Sequence, residues 1–497
     1  MAHGETTRGG GRLSGWLGVE AFLLVALFTS GALWESLQLS SLADGAIWGH
    51  LRAGMWIVEN HRWPQTGLFS QLAGSSWRDL SWGYDGALAI GYKVLGLRVI
   101  PAATMLVRVI LAGILFLLAG GRRGNFWIAS GVAAVALCTL SMVGAESTMV
   151  SVLLLGTELI LIFWKRRKAS GKIFVFLPIL FLLWANLDGG FVYGIGVLGL
   201  FLVCTLVENG VRDRGVIDQP EAKMPTGKAF ALLGLCAGAS LVTPYGYHGY
   251  EQFWEMQTSA ANAEIPGYAA LGFRRMLDYA VLGLGMSAFL AMGRKRSKDL
   301  FGAGLLVGSG LIGFYSQRDA WIFVVSSVAV AGEMLQLAET DAPREPAQAG
   351  GFALALGTSL LVAALGLVLL MPRSDDILLA KAGESLPVNA ADYIRQHGLP
   401  KPMFNAYSWG AFLTWYLPEY PVAIDGRRGL YSEDVERDYF RVMKVDMPYQ
   451  EYAPMRDART ILLEKANAVG EALRTIRGYR VAYEDRIAVV LVREASE

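Results

Sequence analysis

Long apolar stretches separated by short polar segments recur from the N-terminus to residue 371. Each is about 15 to 22 residues long, which is close to the length that a helix needs to cross the hydrocarbon core of a bilayer. The pattern therefore predicts an α-helical polytopic membrane protein with about eleven transmembrane helices. The predicted spans are 16–38, 100–120, 124–143, 147–164, 173–187, 190–208, 228–243, 278–293, 299–315, 319–338 and 351–371.

The pattern changes near residue 375, where charged residues become frequent and apolar runs become short. ADYIRQHG has the spacing of a helix, whereas PVAID has the composition of a strand. A helical pattern near 462–476 precedes YRVAYED and RIAVVLVRE, which predict a terminal hairpin. These features predict a C-terminal α/β soluble domain. The expected organisation is an N-terminal tail at 1–15, a membrane domain at 16–371 with an outer loop at 39–99, and the α/β domain at 372–497.

The short loops that are rich in lysine and arginine all fall on one side when the predicted spans alternate across the membrane. Cytoplasmic loops carry the excess of these residues, so this side is expected to be the cytoplasm. An odd number of spans then places loop 39–99 and the α/β domain on the non-cytoplasmic face of a plasma (inner) membrane. The basic residues are Arg8, Arg12, Arg122, Arg123, Lys165, Arg166, Arg167, Lys168, Arg212, Arg214, Arg294, Lys295, Arg296 and Lys298.

Composition agrees with a membrane protein, because 54% of the residues are hydrophobic and only 18% are charged. The formal net charge of +1 provides no basic field for nucleic acid. Cys138, Cys204 and Cys236 lie in apolar stretches without the spacing of a metal site or a disulfide framework.

Polar residues at the outer ends of the predicted spans are the candidates for function, because ionisable groups at membrane depth are costly without a task or a partner. Asp44 follows the first span. Its carboxylate could accept a proton or hold a divalent cation, or it could simply cap the helix that starts at Gly45. The candidates are Asp44, His50, Arg52, Asp79, Asp85, Glu146, Asp188, Tyr245, His248, Glu264, Arg318 and Asp319.

Three of these positions have both a structural and a functional interpretation. Asp188 in WANLDGGF fits a tight turn between two helices. Arg318 and Asp319 in SQRDAW fit an ion pair at a helix end, but an outer arginine could also bind a phosphate through its planar fork.

The C-terminal segment NAYSWGAFLTWYLPEYPVAIDGRRGLY concentrates polar and aromatic residues. Such a cluster could bind a sugar or a pyrophosphate, or it could have only structural roles around an Asp-Gly-Arg turn. Its candidate binding residues are Asn405, Trp409, Asp425 and Arg427.

Together these segments resemble the GT-C glycosyltransferases, the superfamily that includes protein mannosyltransferases, aminoarabinose transferases and oligosaccharyltransferases. The resemblance covers nearly the whole chain and is greatest to a bacterial branch with a C-terminal α/β extension. It rests on Asp44 with the following WGHLRAG, and on Pro64 and FSQ in the first outer loop. It also rests on the segments WANLDGGFVYG, TPYGYHGY, SQRDAW, NAYSWGAFLTWYL and AIDGRRGLY.

The resemblance implies a transferase that moves a sugar from a polyprenyl-phosphate carrier to an acceptor hydroxyl on the outer face. Asp44 takes the role of the acidic residue of the first outer loop that accepts the proton of the acceptor hydroxyl, and Asp85 is the candidate for a second acidic residue. Arg318 is the first choice for the phosphate, and His50 and Arg52 are the second. Tyr245, His248 and Asp188 complete the expected substrate site, and a divalent metal ion is the only cofactor left open.

Two other classes of function remain open from the sequence. The same outer charges could line the substrate path of a lipid or glycan transporter. A non-catalytic membrane scaffold could also retain a reduced acidic motif. The expected partners of the transferase are a polyprenyl-phosphate lipid, the bilayer, and a glycan, lipid or protein acceptor.

Overall fold

A computed structural model of the protein describes residues 10–71, 76–121, 125–141, 143–167, 171–213, 224–265, 267–336 and 347–494. Most of these residues are helical. The described helices are α1 Gly10–Gln38, α2 Gly45–Asn60, α3 Trp82–Leu95, α4 Val99–Leu118, α5 Phe126–Leu140, α6 Thr148–Arg167, α7 Ile173–Leu187, α8 Phe191–Asp213, α9 Thr226–Ser240, α10 His248–Thr258, α11 Met276–Arg294, α12 Leu300–Tyr315, α13 Ala320–Gln336, α14 Ala347–Leu369, α15 Asp375–Ala382, α16 Val388–His397, α17 Tyr407–Tyr416, α18 Glu433–Met443, α19 Ala453–Arg456 and α20 Ala468–Thr475.

The chain contains several long apolar helices, as a polytopic membrane protein does. Each predicted span coincides with one of α1, α4 to α9 or α11 to α14. Among the described residues, 6 helices are long and apolar enough to cross a membrane, while α5, α6, α7 and α12 are shorter apolar helices. The total of eleven spans therefore stays a prediction. The 6 helices are Gly18–Gln38, Trp82–Leu118, Phe191–Gly210, Met276–Arg294, Gln317–Gln336 and Gly351–Leu369.

The centre of the helical bundle is α13. Every residue from Ala320 to Met334 is buried, because α4, α5, α6, α11 and α12 all pack against this helix. A helix that is apolar on all sides belongs inside a bundle. The start of α13 brings Arg318 and Asp319, which form a short 3₁₀ turn with Gln317, to one end of the bundle.

The C-terminal part contains a four-stranded sheet in the order β1-β2-β4-β3. Strands β1 and β2 are parallel, and the other two pairs are antiparallel. Strands β2 and β4 are almost wholly buried and form the centre of the sheet. The strands are β1 Met403–Asn405, β2 Thr460–Glu464, β3 Tyr479–Glu484 and β4 Ala488–Arg493.

Two local predictions in this part are wrong, whereas the helix in ADYIRQHG and the terminal hairpin are present as α16 and as β3 with β4. The first residues of the predicted helix at 462–476 belong to β2, because the apolar run there is buried in the sheet, and α20 begins only at Ala468. PVAID is not a strand. Its Val422 makes a single bridge to Ser70, and the chain then continues into Gly426 and Arg427 of the cavity wall.

The first outer helix and the C-terminal part share one hydrophobic core. The ring of Trp48 on α2 lies 5.3 Å from Phe412 and 4.6 Å from Trp415 on α17. Glycine makes the close approach possible. A Cβ on Gly45 would lie 2.5 Å from the Ser408 carbonyl oxygen, and one on Gly49 would lie 3.0 Å from the Ala411 Cβ. The start of α2 is therefore fixed against α17.

The orientation of this bundle in a membrane is predicted from basic residues, some of which lie outside the described part of the chain: Arg8, Arg122, Arg123, Lys168 and Arg214. The domain limits at 15 and 371 and the cytoplasmic side also stay predictions.

Candidate functional site

One large cavity of about 830 Å³ lies where the helical bundle meets the C-terminal part. The turns at Asp44, Glu146, Asp188 and Arg318 all contribute to its wall. The alternation of the predicted spans places these same four turns on one side of the membrane. The cavity therefore gathers polar residues that are far apart in the sequence.

Asp44 is both a helix cap and a cavity residue. Its Oδ1 accepts a hydrogen bond from the Ala46 amide at 3.0 Å, so the predicted cap of α2 is present. Its Oδ2 accepts from the Ala145 amide at 2.8 Å. A Cβ at Gly144 would collide with this oxygen, so glycine allows the turn after α5 to approach.

Burial, followed by repulsion from Glu146, raises the pKa of Asp44 to about 6, although the two amide hydrogen bonds oppose this shift. The carboxylate is thus a stronger base than an exposed aspartate and is still ionised at neutral pH.

Arg318 faces the carboxylate wall and an aromatic ring. Its Nη2 lies 3.8 Å from Glu146 Oε2, and its Nη1 donates to the Tyr268 hydroxyl at 2.9 Å. Within the described residues, the salt bridge of Arg318 is with Glu146, while Asp319 attracts the guanidinium without a salt bridge. The guanidinium also lines the cavity.

His50 and Asp85 form a second charged pair in the wall. His50 Nδ1 lies 2.7 Å from Asp85 Oδ1, and the His50 ring packs edge-on against Tyr84. Burial alone favours the neutral ring, but the carboxylates of Asp85, Glu146 and Asp79 together raise the pKa of His50 to about 9. An imidazolium is therefore expected in the cavity at neutral pH.

Asp79 is buried beside this pair and accepts hydrogen bonds from the Ser81 amide at 3.1 Å and the Ser81 hydroxyl at 3.0 Å. Burial and then the nearby Asp85 raise its pKa well above the usual range for a carboxyl. The neighbouring Asp85 carboxylate therefore favours the protonated form of Asp79. Asp79 is thus suited to holding Asp85 and less suited to acting as a free base.

Asp188 forms the predicted turn and also ties two helices together. Its carboxylate accepts from the Gly190 amide at 2.8 Å, from the Ser147 hydroxyl at 2.5 Å and from the Ser151 hydroxyl. These donors come from its own turn and from the start of α6. Asp188 lines the cavity, but its oxygens are already engaged by protein donors.

The C-terminal part closes the opposite side of the cavity. Arg427 is held by Asp425 at 2.7 Å, and its guanidinium lies 5.1 Å from the centre of the Trp77 ring. Arg428 pairs with Glu436 at 2.7 Å and stacks 4.9 Å from the centre of the Tyr268 ring. Both arginines are charge-compensated, so they shape the wall more than they attract anions.

Several predicted site residues do not line the cavity. Arg52 stacks over the Phe69 ring at 4.5 Å. The Tyr245 hydroxyl donates to the Pro64 carbonyl at 2.9 Å. At the surface, His248 Nδ1 lies 2.7 Å from a carboxylate oxygen of Glu251 in the same helix. These residues hold the outer loops, or stay on their surface, and do not reach the cavity.

In the C-terminal cluster, Asn405 and Asp425 have structural contacts. The Asn405 amide nitrogen donates to the Ile424 carbonyl at 2.8 Å, and its oxygen accepts from the Ala423 amide at 2.8 Å. Trp409 does line the cavity, with its indole N–H donating to the Ser385 carbonyl at 3.2 Å. Of the four predicted residues, Trp409 and Arg427 therefore reach the cavity.

The sequence left two important cavity residues without a role. Glu146 is among the polar candidates, but only its contacts with Arg318 and its effect on Asp44 reveal what it does. Tyr268 carries no signal, because an isolated tyrosine in a long outer loop has no distinctive pattern. In the structure, the centre of its ring lies 5.4 Å from the Arg318 guanidinium and 4.9 Å from that of Arg428.

Solved structures share this architecture. ArnT from Cupriavidus metallidurans bound to undecaprenyl phosphate matches 97% of this chain and 99% of its own, with 14% identity and a TM-score of 0.50. The archaeal oligosaccharyltransferase AglB from Archaeoglobus fulgidus, in complex with an inhibitory peptide and a dolichol-phosphate, matches 91% of this chain and 69% of its own, with 10% identity and a TM-score of 0.51. The chain shares the fold of these two proteins, which are GT-C superfamily glycosyltransferases. No protein-family model matches it, and no curated protein does.

The GT-C fold confirms the structural part of the resemblance seen in the sequence. A metal ion is a separate question. Within the residues that the structure describes, no group of three or more histidine, cysteine, aspartate or glutamate side chains is arranged to hold one. The groups that these residues offer for chemistry are the carboxylates and the cationic side chains of the cavity.

Proposed function

We propose that the protein is a membrane glycosyltransferase that moves a sugar from a polyprenyl-phosphate-linked donor to an acceptor hydroxyl. The observation that carries this proposal is a single cavity containing a basic carboxylate, Asp44, and a cation, Arg318, in a chain with the GT-C fold. A transfer reaction needs a proton acceptor at the nucleophile and positive charge at the leaving phosphate. Both similar proteins carry a polyprenyl-type phosphate in their solved structures.

The proposed reaction is an inverting displacement at the anomeric carbon. The acceptor oxygen forms a bond to this carbon while its proton passes to the Asp44 carboxylate. The bond between the carbon and the phosphate oxygen breaks, and its electron pair leaves with the polyprenyl phosphate. Arg318 stabilises the negative charge on that phosphate, and the His50 imidazolium adds positive charge in the same cavity.

The phosphate role of Arg318 draws support from its partners. Glu146 at 3.8 Å is farther than a direct hydrogen bond, so the Nη2 group of Arg318 can still donate to a ligand. Tyr268 fixes the other edge of the guanidinium at 2.9 Å. A planar fork held in this way suits a phosphate, and a lysine cannot reproduce it.

We also propose where the reaction takes place. The cavity and residues 372–497 lie on the non-cytoplasmic face of the inner membrane, since the turns that line the cavity alternate with the basic loops. Lipid-linked donors would then reach the cavity from the bilayer that surrounds the helical bundle.

The decisive experiment replaces Asp44 with asparagine. The new side-chain carbonyl can still accept from the Ala46 amide, but it cannot take a proton at neutral pH. In Asp44→Asn, transfer from a polyprenyl-phosphate sugar should fall on the order of a hundred- to ten-thousand-fold. Product formation by protein in nanodiscs measures this loss.

The structure supplies a matched control for the lost carboxylate. Asp299 caps α12 by accepting from the Gly302 amide at 3.0 Å, and it pairs with Arg166 outside the cavity. Asp299→Asn should cost stability comparable to that of Asp44→Asn, about 1 kcal/mol or more, and leave transfer near wild type. Transfer by Asp44→Asn within about tenfold of wild type would falsify the assignment of the base.

A further inference from the structure

A second cavity, of about 580 Å³, lies in the C-terminal part and meets the first one. Ser385, Trp409 and Glu464 line both cavities. Ser385 and Glu464 are exposed, as are Lys465 and Arg486 at the rim of the second cavity. The two cavities are thus adjacent and share part of their lining, and the second one has a rim in contact with solvent.

This junction lies next to the proposed base. Gly45, which follows Asp44, approaches the Ser408 carbonyl so closely that a Cβ there would lie 2.5 Å from it. The Ser408 hydroxyl donates to Glu464 Oε1 at 2.7 Å. Ser385, Ser408, Trp409 and Glu464 lie where the lining of the second cavity meets the surroundings of Asp44, and we call this place the C-terminal passage.

The rim of the second cavity is polar but balanced in charge. Glu464 and Glu471 are acidic, whereas Lys465 and Arg486 are basic. The two basic side chains already have partners in the protein, since Lys465 lies 3.0 Å from Glu484 and Arg486 donates to the Glu384 carbonyl at 2.7 Å. Such a rim offers donors and acceptors without a strong field of either sign, which suits an uncharged, hydroxyl-rich molecule.

We propose that the acceptor is the hydroxyl-rich end of a glycan and that it reaches Asp44 through the C-terminal passage, separately from the lipid-linked donor. This inference rests on the proposed function, because only a transfer reaction needs an acceptor at Asp44. Two separate entrances let a water-soluble and a lipid-borne substrate occupy one cavity without either crossing the other's path. Trp409, only 4% exposed, belongs to the lining that the two cavities share.

The test measures access to the inner cavity and requires neither a donor nor catalysis. Ala46 lines the first cavity beside Asp44 but not the second. An Ala46→Cys variant is made in a Cys138→Ala background, since Cys138 is the exposed native cysteine. In nanodiscs, the introduced thiol is labelled with a maleimide that carries a glucosyl group, and with methyl methanethiosulfonate as a small reagent. The same background without Ala46→Cys gives the labelling to subtract.

The passage is then obstructed by Ser385→Trp and, in a separate protein, by Ala466→Trp, which lies only in the second cavity. Either change should slow labelling by the glucosyl maleimide about tenfold while the small reagent stays within about twofold. Gln396→Trp, on the exposed face of α16 and outside both cavities, is the matched control and should change neither rate. Melting temperatures show whether each variant is folded.

Unchanged glucosyl labelling in folded Ser385→Trp and Ala466→Trp would overturn the passage, as would failure of this probe to label the introduced thiol at all. Faster labelling by a phosphorylated glucosyl maleimide than by the neutral one would overturn the glycan assignment. Because Asp44 stays intact and no transfer is measured, these results are independent of the Asp44→Asn experiment. The two failures are therefore distinguishable: loss of the proposed function removes the acceptor but leaves access to the cavity measurable, whereas loss of access removes the route but leaves Asp44 as the base.

Discussion

At the scale of single residues, the cavity depends on how charges change one another. Asp44 is buried beside Glu146, and burial together with this neighbour raises the pKa of Asp44 to about 6. The Arg318 guanidinium at 3.8 Å partly neutralises Glu146. One carboxylate thus tunes the base and holds the cation, which explains why Glu146 belongs to the site without contacting the reacting atoms.

This tuning predicts the acid side of the pH profile. Asp44 accepts a proton only when it is ionised, so transfer should fall about tenfold per pH unit below about pH 6. Glu146→Gln removes the repulsion that helps to raise the pKa, and the decline should then begin at a lower pH. Initial rates over roughly two pH units on either side of this pKa measure the profile.

Glu251→Gln, at an exposed position outside the cavity, is the control and should leave the pH profile unchanged. A Glu146→Gln profile identical to that of wild type would contradict the role of Glu146 in raising the pKa of Asp44.

His50 predicts a dependence of stability on pH. Although burial opposes the charged ring, Asp85 favours it more strongly, and the pKa rises from 6.5 to about 9 on folding. A raised folded pKa contributes stability that is fully present below pH 6.5 and is lost as the pH rises through about 9. The upper bound of this contribution is about 3 kcal/mol. Melting temperature should therefore fall over this interval in wild type and much less in His50→Gln.

The exposed His397, whose Nδ1 lies 3.0 Å from the Tyr393 carbonyl oxygen, provides the control for this experiment. His397→Gln should keep the wild-type dependence. An equal loss of pH dependence in both variants would mean that the His50 and Asp85 pair does not govern stability in this interval.

At the scale of elements, the contact between α2 and α17 decides where Asp44 lies. Gly45 and Gly49 are four residues apart and so lie on one face of α2. A methyl group at either position would meet α17, at 2.5 Å from the Ser408 oxygen or 3.0 Å from the Ala411 Cβ. The two helices can approach this closely only because both positions lack a side chain.

Gly45→Ala and Gly49→Ala should therefore each lower stability by about 1–3 kcal/mol, with Gly45→Ala the more severe because backbone must move. Transfer should fall as well, since Asp44 precedes Gly45. Gly196→Ala, in α8 with no atom within 4 Å of the added Cβ, is the control and should be neutral or slightly stabilising. Thermal unfolding of the three variants compares them, and equal melting temperatures would show that the contact is not tight.

The helices and strands differ in how well the sequence predicts them. The membrane helices are predictable because apolar runs longer than a turn or two have few alternatives. Strand β2 is not, because TILLE is a short apolar run that fits a helix or a strand until the flanking strands are known. The strand expected at PVAID fails for a related reason: Val422 has the composition of a strand residue but lies beside the outer loop and has only one bridge.

At the scale of the whole molecule, the sequence predicts which turns lie on the same side of the membrane better than it predicts the contacts across the cavity. The positions of the basic loops are enough to predict that the turns at Asp44, Asp188 and Arg318 lie on one side of the membrane. In the structure, these three residues line the same cavity. The C-terminal wall has no such rule. The stacking of Arg428 on Tyr268 joins residues far apart in the chain, and neither has a periodic pattern that points to the other.

The alternation of the predicted spans also predicts the orientation of the protein in the membrane. An odd number of spans with basic loops inside places residues beyond 371 outside the cytoplasm. Alkaline phosphatase is active only after export, so a fusion after residue 380 should be active in a bacterial host. Fusions after Lys168 and after Lys298 lie in basic loops and should be inactive, with protein levels checked by immunoblotting.

If the fusion after residue 380 were inactive and the other two were active, Asp44, Arg318 and the C-terminal passage would face the cytoplasm, because all of them line the two adjacent cavities. The acceptor would then be a cytoplasmic molecule, and the proposed site of transfer would be wrong even if Asp44 is the base.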